Sequence, residues 1–297
     1  MRIGVFGSRC KAEQLCVIKD LFGKLNVLKA DVFIQSFFYD YLREQFNYTP
    51  DIMGDIDESD MNLDLALSVG GDGSFLRTVS QLYRHHIPIL GINTGNLGFL
   101  ADVGSNQIDE TLDEFFRGDY LIEERSLLQL LSDDQPVKGM NHALNEIAIL
   151  KRDTATMITI HTYLNGDYLT SYQANGLLVA TPTGSTAYSM SVNGPILLPQ
   201  NRSFILSPVA PHSLNVRPVV IPDDYTITLK VESRTNSFLV SLDGRAEEMP
   251  GGIVLKIKMA ACKTRLVKRL NQSFYRTLRE KLMWGGGAKR DMEEMHL

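Results

Sequence analysis

The stretch Gly70-Gly71-Asp72-Gly73 holds the residues with the clearest potential for chemistry, a single acid among three glycines. A mostly apolar run, Leu63 to Val69, precedes it and predicts a buried strand, and apolar residues at helical spacing follow it. Glycines in such a strand-to-helix turn let backbone amides approach an anion such as phosphate. Asp72 would then lie in a phosphate cradle, where a carboxylate needs a cation or a proton, so it is a candidate for acid–base chemistry. The structural alternative is a plain turn in which Asp72 caps the helix.

A second polar stretch, Thr181 to Ser191, is rich in hydroxyl side chains with small residues between them. Hydroxyls and free amides on a loop suit the oxygens of ribose, amides and phosphates, and Ala187 leaves room for a flat ring beside Tyr188. The alternative is a Ser/Thr-rich turn with local side-chain-to-backbone bonds. Asn145-Glu146 also interrupts an apolar strand. Because burying such a pair is costly unless it is hydrogen-bonded, a ligand is favoured over an internal network.

The elements that position these stretches predict two domains. In residues 1–118, predicted strands alternate with predicted helices, which indicates an α/β domain with a parallel, Rossmann-like sheet. Ligands bind beyond the carboxyl ends of the strands in such sheets. Asp72 and the loop Asn93 to Leu100 both follow strands, so we expect them to line one cleft.

Residues 119–270 predict a β-rich domain, because helical patterns nearly vanish and short strands dominate. The strands include one over Ala143 to Leu150, and Asn165-Gly166 is a strong signal for a two-residue hairpin. In the last segment, 271–297, we expect a helix over Phe274 to Met283 that returns to the first domain, followed by a flexible tail from Gly285.

The composition is that of a globular protein, with 297 residues of which 44% are hydrophobic and 22% charged. The net charge of -5 gives no basic face for nucleic acid or anionic lipid. No apolar run is long enough to span a bilayer, no signal-peptide pattern is present, and the three cysteines lack metal-ligand spacing. We therefore expect a reduced, cytoplasmic protein. The chain also lacks a Walker loop and a G-x-G-x-x-G fingerprint, which disfavours hydride transfer, and its histidines predict no metal site.

Several motifs, in this order along the chain, resemble those of NAD kinases: Gly70-Gly71-Asp72-Gly73, the segment Gly91 to Leu100, Asn145-Glu146, the segment Thr181 to Tyr188, and Asp243-Gly244. The resemblance extends over about residues 1 to 275. It implies ATP-dependent phosphorylation of the adenosine-ribose 2′-hydroxyl of NAD to give NADP. It also implies a divalent metal ion, usually Mg²⁺, and a homodimer or homotetramer.

By motif position, the resemblance implies that Asp72 is the catalytic residue and acts as a general base. The nucleotide-binding residues that it implies are Gly73 and Arg77 near the phosphates, Phe99 and Leu100 on the adenine side, Asn145 and Glu146 holding NAD, and Thr183, Thr186, Ala187, Tyr188 and Ser191 in the rest of the dinucleotide pocket. Asn175 stands where many members have aspartate, and Arg245 where many bacterial members have glutamine. Both are also expected to contact the nucleotide.

Other functions stay open at this point. A lipid or other small-molecule kinase of the diacylglycerol-kinase-like group carries a similar glycine motif, but its apolar substrate groove fits poorly with the hydroxyl-rich stretch. A non-catalytic nucleotide-binding sensor would use the same cleft for binding alone. A purely structural protein would leave Asn145-Glu146 unexplained. Polyphosphate in place of ATP, and NADH in place of NAD, stay open as substrates.

Overall fold

A parallel sheet flanked by helices forms the first of two compact units in the computed structural model of the chain. The structure describes residues 1–57, 61–95, 98–132, 137, 139, 141–153 and 156–284. The first unit comprises Met1–Glu123 and the chain from Arg265 onward, and the second comprises Glu124–Thr264. The expected tail from Gly285 lies outside the described residues, as do residues 96 and 97 of the predicted cleft loop.

The first unit is built from alternating strands and helices. They are β1 (Arg2–Gly7), α1 (Leu15–Val27), β2 (Asp31–Ile34), α2 (Ser36–Phe46), β3 (Gly54–Asp55), β4 (Leu65–Val69), α3 (Asp72–Leu82), β5 (Pro88–Ile92) and α4 (Ile108–Arg117). The sheet order is β3-β2-β1-β4-β5, and the neighbouring strands are parallel. The chain order reverses between β1 and β4, and such a switch point opens a crevice at the carboxyl ends of the strands.

Apolar periodicity explains why these elements form. In α1, Ile18, Leu21, Phe22 and Leu25 follow the spacing of a single helix face, and all four side chains are buried. They belong to the same apolar cluster as the inward residues of β1 and β4. Burial of this face against the sheet positions the strand ends from which the predicted site residues emerge.

Antiparallel strands dominate the second unit. The elements are β6 (Tyr120–Ser132), which leads in from the first unit, β7 (His142–Ala143), β8 (Glu146–Lys151), β9 (Ile158–Leu164), β10 (Asp167–Ala174), β11 (Gly176–Ala180), α5 (Tyr188–Ser191), β12 (Ser203–Val209), β13 (Val219–Pro222), β14 (Ile227–Glu232), β15 (Ser237–Leu242), β16 (Arg245–Pro250) and β17 (Val254–Arg269). One sheet contains β10-β9-β14-β17 and the other contains β13-β12-β11-β8-β15-β16. Buried residues of both, including Ile160, Leu229, Val179 and Phe204, form one apolar cluster, so the sheets pack face to face.

The end of the chain belongs to the first unit. Arg265 and Leu266 of β17 pair in parallel with Pro88 and Ile89 of β5, and helix α6 (Phe274–Leu282) follows. The predicted fold class is therefore confirmed: a Rossmann-like α/β part, a β-rich part, and a C-terminal helix in the first unit. Among the described residues, every helix is too short or too polar to cross a lipid bilayer.

Some predicted elements are confirmed and others are wrong. Asn165 and Gly166 form the predicted turn between β9 and β10, with φ angles of 50° and 94°. The strand predicted over Ala143 to Leu150 is confirmed from Glu146 onward as part of β8, but the prediction is wrong at Leu144 and Asn145, where the chain leaves the sheet. The sequence predicts no strand where β3, β12 and β16 lie.

Candidate active site

Asp72 begins helix α3 just beyond the carboxyl end of β4. Gly70 has a φ of 141°, which residues with a side chain rarely adopt, and this lets the chain turn out of the strand. Gly71 is the N-cap and Asp72 is the first helical residue, so the alternative in which Asp72 caps the helix is wrong. The Asp72 carboxylate is free to face the loop that follows β5.

Consecutive backbone amides of that loop hold the Asp72 carboxylate. The N–H of Phe99 donates to Oδ2 at 2.9 Å, and those of Leu100 and Ala101 donate to Oδ1 at 3.0 and 2.9 Å. A carboxylate oxygen has two lone pairs, so these bonds fill Oδ1, and within the described residues Oδ2 keeps one acceptor position open. The carboxylate is thus fixed in orientation and can accept one further hydrogen bond, for example from a substrate hydroxyl.

Asn93 and Gly98 shape this loop. Asn93 is buried, its Oδ1 accepts from the N–H of Gly95 at 2.7 Å, and its Nδ2 donates to the Ala101 carbonyl at 3.1 Å. A Cβ on Gly98 would overlap Asp72 Oδ1, so only glycine permits this close approach. The structure therefore brings Asp72 together with the described part of the Asn93–Leu100 loop, as predicted.

A cavity of about 370 Å³ lies near the switch point between β1 and β4, and its lining includes Ser8, Arg9, Ser74 and Arg77. Ser8 Oγ and Ser74 Oγ are 2.7 Å apart, and Arg77 Nη2 donates to Ser74 Oγ at 3.3 Å. At Gly73, the space that a side chain would take is open. Guanidinium groups and hydroxyls around one cavity favour a phosphate ligand.

Phe99 and Leu100, which were predicted to lie on the adenine side of the nucleotide, differ in exposure. Leu100 is 4% exposed, so its backbone N–H faces Asp72 while its side chain belongs to the core. Phe99 is partly exposed, and its ring contacts that of Phe274 with 6.3 Å between centroids.

In the second unit, a carboxylate again organises a short segment of backbone. Asp243 and Gly244 form the two-residue turn between β15 and β16, with φ angles of 48° and 83°. The Asp243 carboxylate accepts from the N–H groups of Leu144, Asn145 and Glu146 at 2.6, 2.8 and 3.0 Å. These bonds fix the backbone of the Asn145-Glu146 pair at the start of β8.

Thr181 connects the hydroxyl-rich stretch to the same pair. Its N–H donates to the Asn145 carbonyl at 2.9 Å, and its Oγ1 donates to the Leu144 carbonyl at 2.5 Å. The backbone N–H of Tyr188 donates to the Glu146 carboxylate. The structure therefore brings Asn145, Glu146 and the stretch from Thr181 to Tyr188 together within this unit.

Asn145 Oδ1 and Glu146 Oε2 are buried without a hydrogen-bond partner among the residues that the structure describes. Burial and, to a lesser extent, the charge of Asp243 together raise the pKa of Glu146 to about 8, although the Tyr188 amide opposes the shift. Burial also raises the pKa of Asp243, against the effects of its amide donors and of Arg245. Because unpaired buried acceptors are unfavourable, a ligand with hydrogen-bond donors would stabilise this cluster.

The remaining predicted residues of the hydroxyl-rich stretch differ in exposure. Thr183 is buried, Thr186 and Ala187 are partly buried, and the Tyr188 ring is 39% exposed. Ser191 is exposed and borders a separate cavity of about 720 Å³, which is also lined by residues of the loop after β12.

The hydrogen bonds that place Asn175 and Arg245 are made with backbone groups of neighbouring segments. Asn175 precedes β11, at the opposite end of that strand from Thr181, and its backbone bonds to Val209 and Lys151. Within this unit the structure does not bring Asn175 to the Asn145-Glu146 pair. The Arg245 guanidinium donates to the carbonyls of Leu242 and His142 at 3.0 and 2.8 Å, which stabilises the Asp243 turn.

Asp243, which binds the amides of residues 144–146, and Arg9, which lines the cavity near Arg77, were not among the predicted site residues. The Asp-Gly pair signals a turn, but the amides that bind Asp243 lie 97 to 99 residues away in the chain. Arg9 has no local signal beyond its position after the first strand.

Among the described residues, Asp72 has too few metal-ligating side chains around it for the protein alone to hold a metal ion. In the part of the chain that the structure describes, no group of three or more His, Cys, Asp or Glu side chains could hold a metal ion. Most acceptor positions of Asp72 are filled by amides. Mg²⁺ in phosphoryl-transfer sites is commonly held by one or two carboxylates and the substrate phosphates. The residues therefore fit a cation that arrives with a triphosphate, as part of the substrate.

Comparisons with known proteins identify relatives of this chain. The model of the ATP-NAD kinase N-terminal domain matches residues 26–120, and that of the ATP-NAD kinase C-terminal domain matches residues 144–269. An NAD kinase of Bacteroides fragilis is 46% identical over 289 residues, which cover 97% of this chain and 100% of the relative. An NAD kinase of Porphyromonas gingivalis is 46% identical over 288 residues, which cover 97% of this chain and 99% of the relative.

Solved structures share the fold. Yeast NADH kinase in complex with NADH matches with a TM-score of 0.85 at 22% identity, over 96% of this chain and 88% of that one. An NAD kinase from Archaeoglobus fulgidus in complex with ATP matches with a TM-score of 0.75 at 27% identity, over 95% of this chain and 99% of that one. Because the two family models together match more than half of the chain and the curated relatives match nearly its whole length, the chain belongs to the NAD kinase family.

Proposed function

We propose that this chain transfers the γ-phosphoryl group of ATP to the 2′-hydroxyl of the adenosine ribose of NAD, giving NADP, with Asp72 as the general base. Its relatives are NAD kinases, and the structural neighbours were solved with ATP and with NADH. The observation that carries the role of Asp72 is its carboxylate, oriented by the amides of Phe99, Leu100 and Ala101 with one acceptor position left on Oδ2.

The open position on Oδ2 would accept the hydrogen bond of the 2′-hydroxyl. As the 2′-oxygen forms its bond to the γ-phosphorus, the bond from that phosphorus to the oxygen bridging it to the β-phosphate breaks and ADP leaves. The hydroxyl proton passes to Oδ2, which increases the nucleophilicity of the attacking oxygen. Phosphoryl transfer depends mainly on positioning and on stabilising charge, with little covalent chemistry for the protein to perform. A carboxylate already held in place needs no reorganisation at this step.

We assign the donor phosphates to the cavity that Ser8, Arg9, Ser74 and Arg77 line. The guanidinium groups supply positive charge, and the first amides of α3, where Gly73 leaves open space, supply N–H donors. The Mg²⁺·ATP complex is the donor substrate in this proposal, and the cation offsets phosphate charge. No step is assigned to a metal held by the protein alone.

We assign the dinucleotide to the cluster around Asn145 and Glu146. Their unpaired oxygens, Asn145 Oδ1 and Glu146 Oε2, match the hydroxyl donors of a ribose. The partly exposed ring of Tyr188 can stack on a flat base, and Thr183 and Thr186 add hydroxyls nearby in the chain. Contacts from Asn175, Ser191 and Arg245 stay predictions.

The homodimer or homotetramer, which the family resemblance implies, stays a prediction, as does the cytoplasmic location, which the composition and the cysteine pattern indicate. Light scattering of the purified protein during gel filtration measures the first. A mass that matches one chain across the working concentration range would contradict it.

Incubation of the pure protein with NAD, ATP and Mg²⁺, followed by separation of the products, tests the activity. We expect NADP and ADP from the wild type. Asp72→Asn should bind NAD normally by calorimetry, but should lower kcat by about 10²- to 10⁴-fold, the usual range for a general acid or base. Asp20→Asn, at an exposed site on α1, is the matched control and should keep wild-type activity.

Each alternative predicts a different result. If Asp72→Asn kept most of the wild-type rate, Asp72 would not be the base. NAD binding by the wild type without product would indicate a nucleotide sensor, and phosphorylation of a diacylglycerol but not of NAD would indicate a lipid kinase.

A further inference from the structure

The C-terminal segment of the first unit contacts the loop that holds Asp72. Lys268, at the end of β17, forms an ion pair with Asp102, and the two side chains are only 11% and 5% exposed. Gln272 Nε2 donates to the Asp102 carbonyl at 3.2 Å. Asp102 follows Ala101 directly, and Ala101 is the last of the residues whose amides bind Asp72.

We propose that Lys268 is a positioning residue for phosphoryl transfer, which orients the Asp72 carboxylate by fixing Asp102 and with it the loop 98–102. The inference rests on the proposed function, because it concerns the orientation of the proposed base. Lys268 does not contact Asp72, and it acts through the peptide groups that do.

Lys268 can transmit position because its own backbone is fixed. Two residues earlier, Leu266 pairs with Ile89 of β5 in the parallel sheet. The next residue, Arg269, makes a two-pronged ion pair with Glu114 of α4 at 2.7 and 2.9 Å. The ammonium group of Lys268 therefore projects from a strand end that is anchored to the sheet and to a helix.

Asp102 lies at a point in the loop from which its ion pair with Lys268 can influence the amides that bind Asp72. At the base of the loop, the N–H of Asn93 donates to the Val103 carbonyl at 2.8 Å, and that of Val103 donates to Gly91 at 3.2 Å. Asp102 lies between this base and the amides that hold Asp72. Removal of one partner from an ion pair this little exposed is strongly unfavourable, so loss of the Lys268 cation should shift Asp102 and with it the loop.

Aromatic contact adds a second connection from the same segment. The ring of Phe274, at the start of α6, lies 6.3 Å from that of Phe99 between centroids. The backbone N–H of Phe99 is the donor to Asp72 Oδ2, the oxygen that keeps an open acceptor position. The C-terminal segment thus contacts the loop close to both carboxylate oxygens.

Steady-state kinetics of Lys268→Met test the proposal. We expect kcat to fall by about 10- to 100-fold, the cost of a small misplacement of a reacting group, with unchanged KM for NAD and ATP. The matched control is Lys24→Met, which removes the cation of another partly buried ion pair of the first unit, Lys24–Asp113 at 2.8 Å. This control should leave kcat unchanged.

A double-mutant cycle separates positioning from a general loss of stability. If Lys268 acts through the Asp72 carboxylate, Lys268→Met should cause no further loss of kcat in the Asp72→Asn background. If the kcat of the double variant fell by the product of the two single losses, the proposal would be overturned. A wild-type kcat for Lys268→Met, or a change confined to KM, would also overturn it.

Two milder variants decide the question if Lys268→Met does not fold. Lys268→Arg keeps the positive charge and should keep most of kcat, while Gln272→Ala should lower kcat without changing KM. A wild-type kcat for Gln272→Ala in that case overturns the proposal. A wild type that makes no NADP would instead refute the proposed function, so the two failures are distinguishable.

Discussion

At the scale of single residues, the candidate site depends on two aspartates with the same construction. Asp72 accepts hydrogen bonds from the N–H groups of residues 99–101, and Asp243 accepts them from residues 144–146. In each case one carboxylate fixes the backbone of a segment that the family resemblance assigns to nucleotide binding. A side chain that looks like a reacting group in the sequence can therefore also determine the shape of its own site.

The pKa of Glu146 gives a prediction about stability. Its value of about 8 in the folded chain lies above the ordinary 4.5. As pH rises, the unfolded state therefore loses the proton first. Between the two pKa values, the free energy of unfolding falls by at most about 1.4 kcal/mol per pH unit. Glu146→Gln cannot ionise, so its denaturant midpoint should fall less than that of the wild type between pH 5 and about pH 8.

A matched control separates the effect of burial from that of the chemical change itself. Glu280→Gln makes the same chemical change in the exposed pair Arg276–Glu280 on α6. Its midpoint should show the wild-type dependence on pH. If Glu146→Gln and the wild type lost stability in parallel across the interval, Glu146 would ionise normally in the folded chain and the prediction would be wrong.

At the scale of elements, the loop after β5 must approach α3 closely for the Asp72 carboxylate to reach its amides. Gly98→Ala places a methyl group where Asp72 Oδ1 lies, so the loop or the carboxylate must shift. We expect kcat to fall by about 100-fold, since misplacement of a reacting group by about 1 Å can cost this much. Circular dichroism should show an unchanged content of helix and strand.

Gly23→Ala is the matched control for this loop prediction. Gly23 lies inside α1 with open space where its Cβ would be, so alanine should raise stability by up to about 1 kcal/mol and leave kcat unchanged. A Gly98→Ala enzyme with wild-type kcat would show that Asp72 does not need the observed contact with the loop.

The elements show where local sequence patterns succeed and where they fail. Helix α1 and the strands β1, β2, β4 and β5 follow from their apolar residues, which are buried in a single core, whereas the short strand β3 has no such residues. Strand β12 does not follow, since Pro208 argues against an interior strand. In the structure, β13 pairs with β12 only from Ser203 to Leu206, so Pro208 lies beyond that pairing and next to β11 alone.

At the scale of the whole molecule, the sequence predicted the family and the fold class, and the family models and relatives confirm both. The loop that contacts Asp72 and the hydroxyl-rich stretch that contacts Asn145-Glu146 were also candidates in the sequence, because each of them carries a local motif. The links between segments could not be predicted. Lys268 and Asp102 are 166 residues apart, and neither position has a distinctive local pattern.

Because the phosphates of ATP are assigned to the cavity near Arg9 and Arg77, and most contacts of NAD to the cluster around Asn145 and Glu146, the two substrates should protect different segments from hydrogen exchange. NAD should protect residues 144–146 and 181–188, where Asn145 Oδ1 and Glu146 Oε2 would gain donors. Mg²⁺·ATP should instead protect the start of α3 and the residues after β1 that line the cavity with Arg9 and Arg77. At 100 times its dissociation constant, each ligand stabilises the folded chain by about 2.7 kcal/mol, enough to slow exchange measurably. Exchange measured by mass spectrometry with each ligand alone decides the matter: identical protection by both ligands, or protection that avoids these segments, would refute the assignment of the subsites.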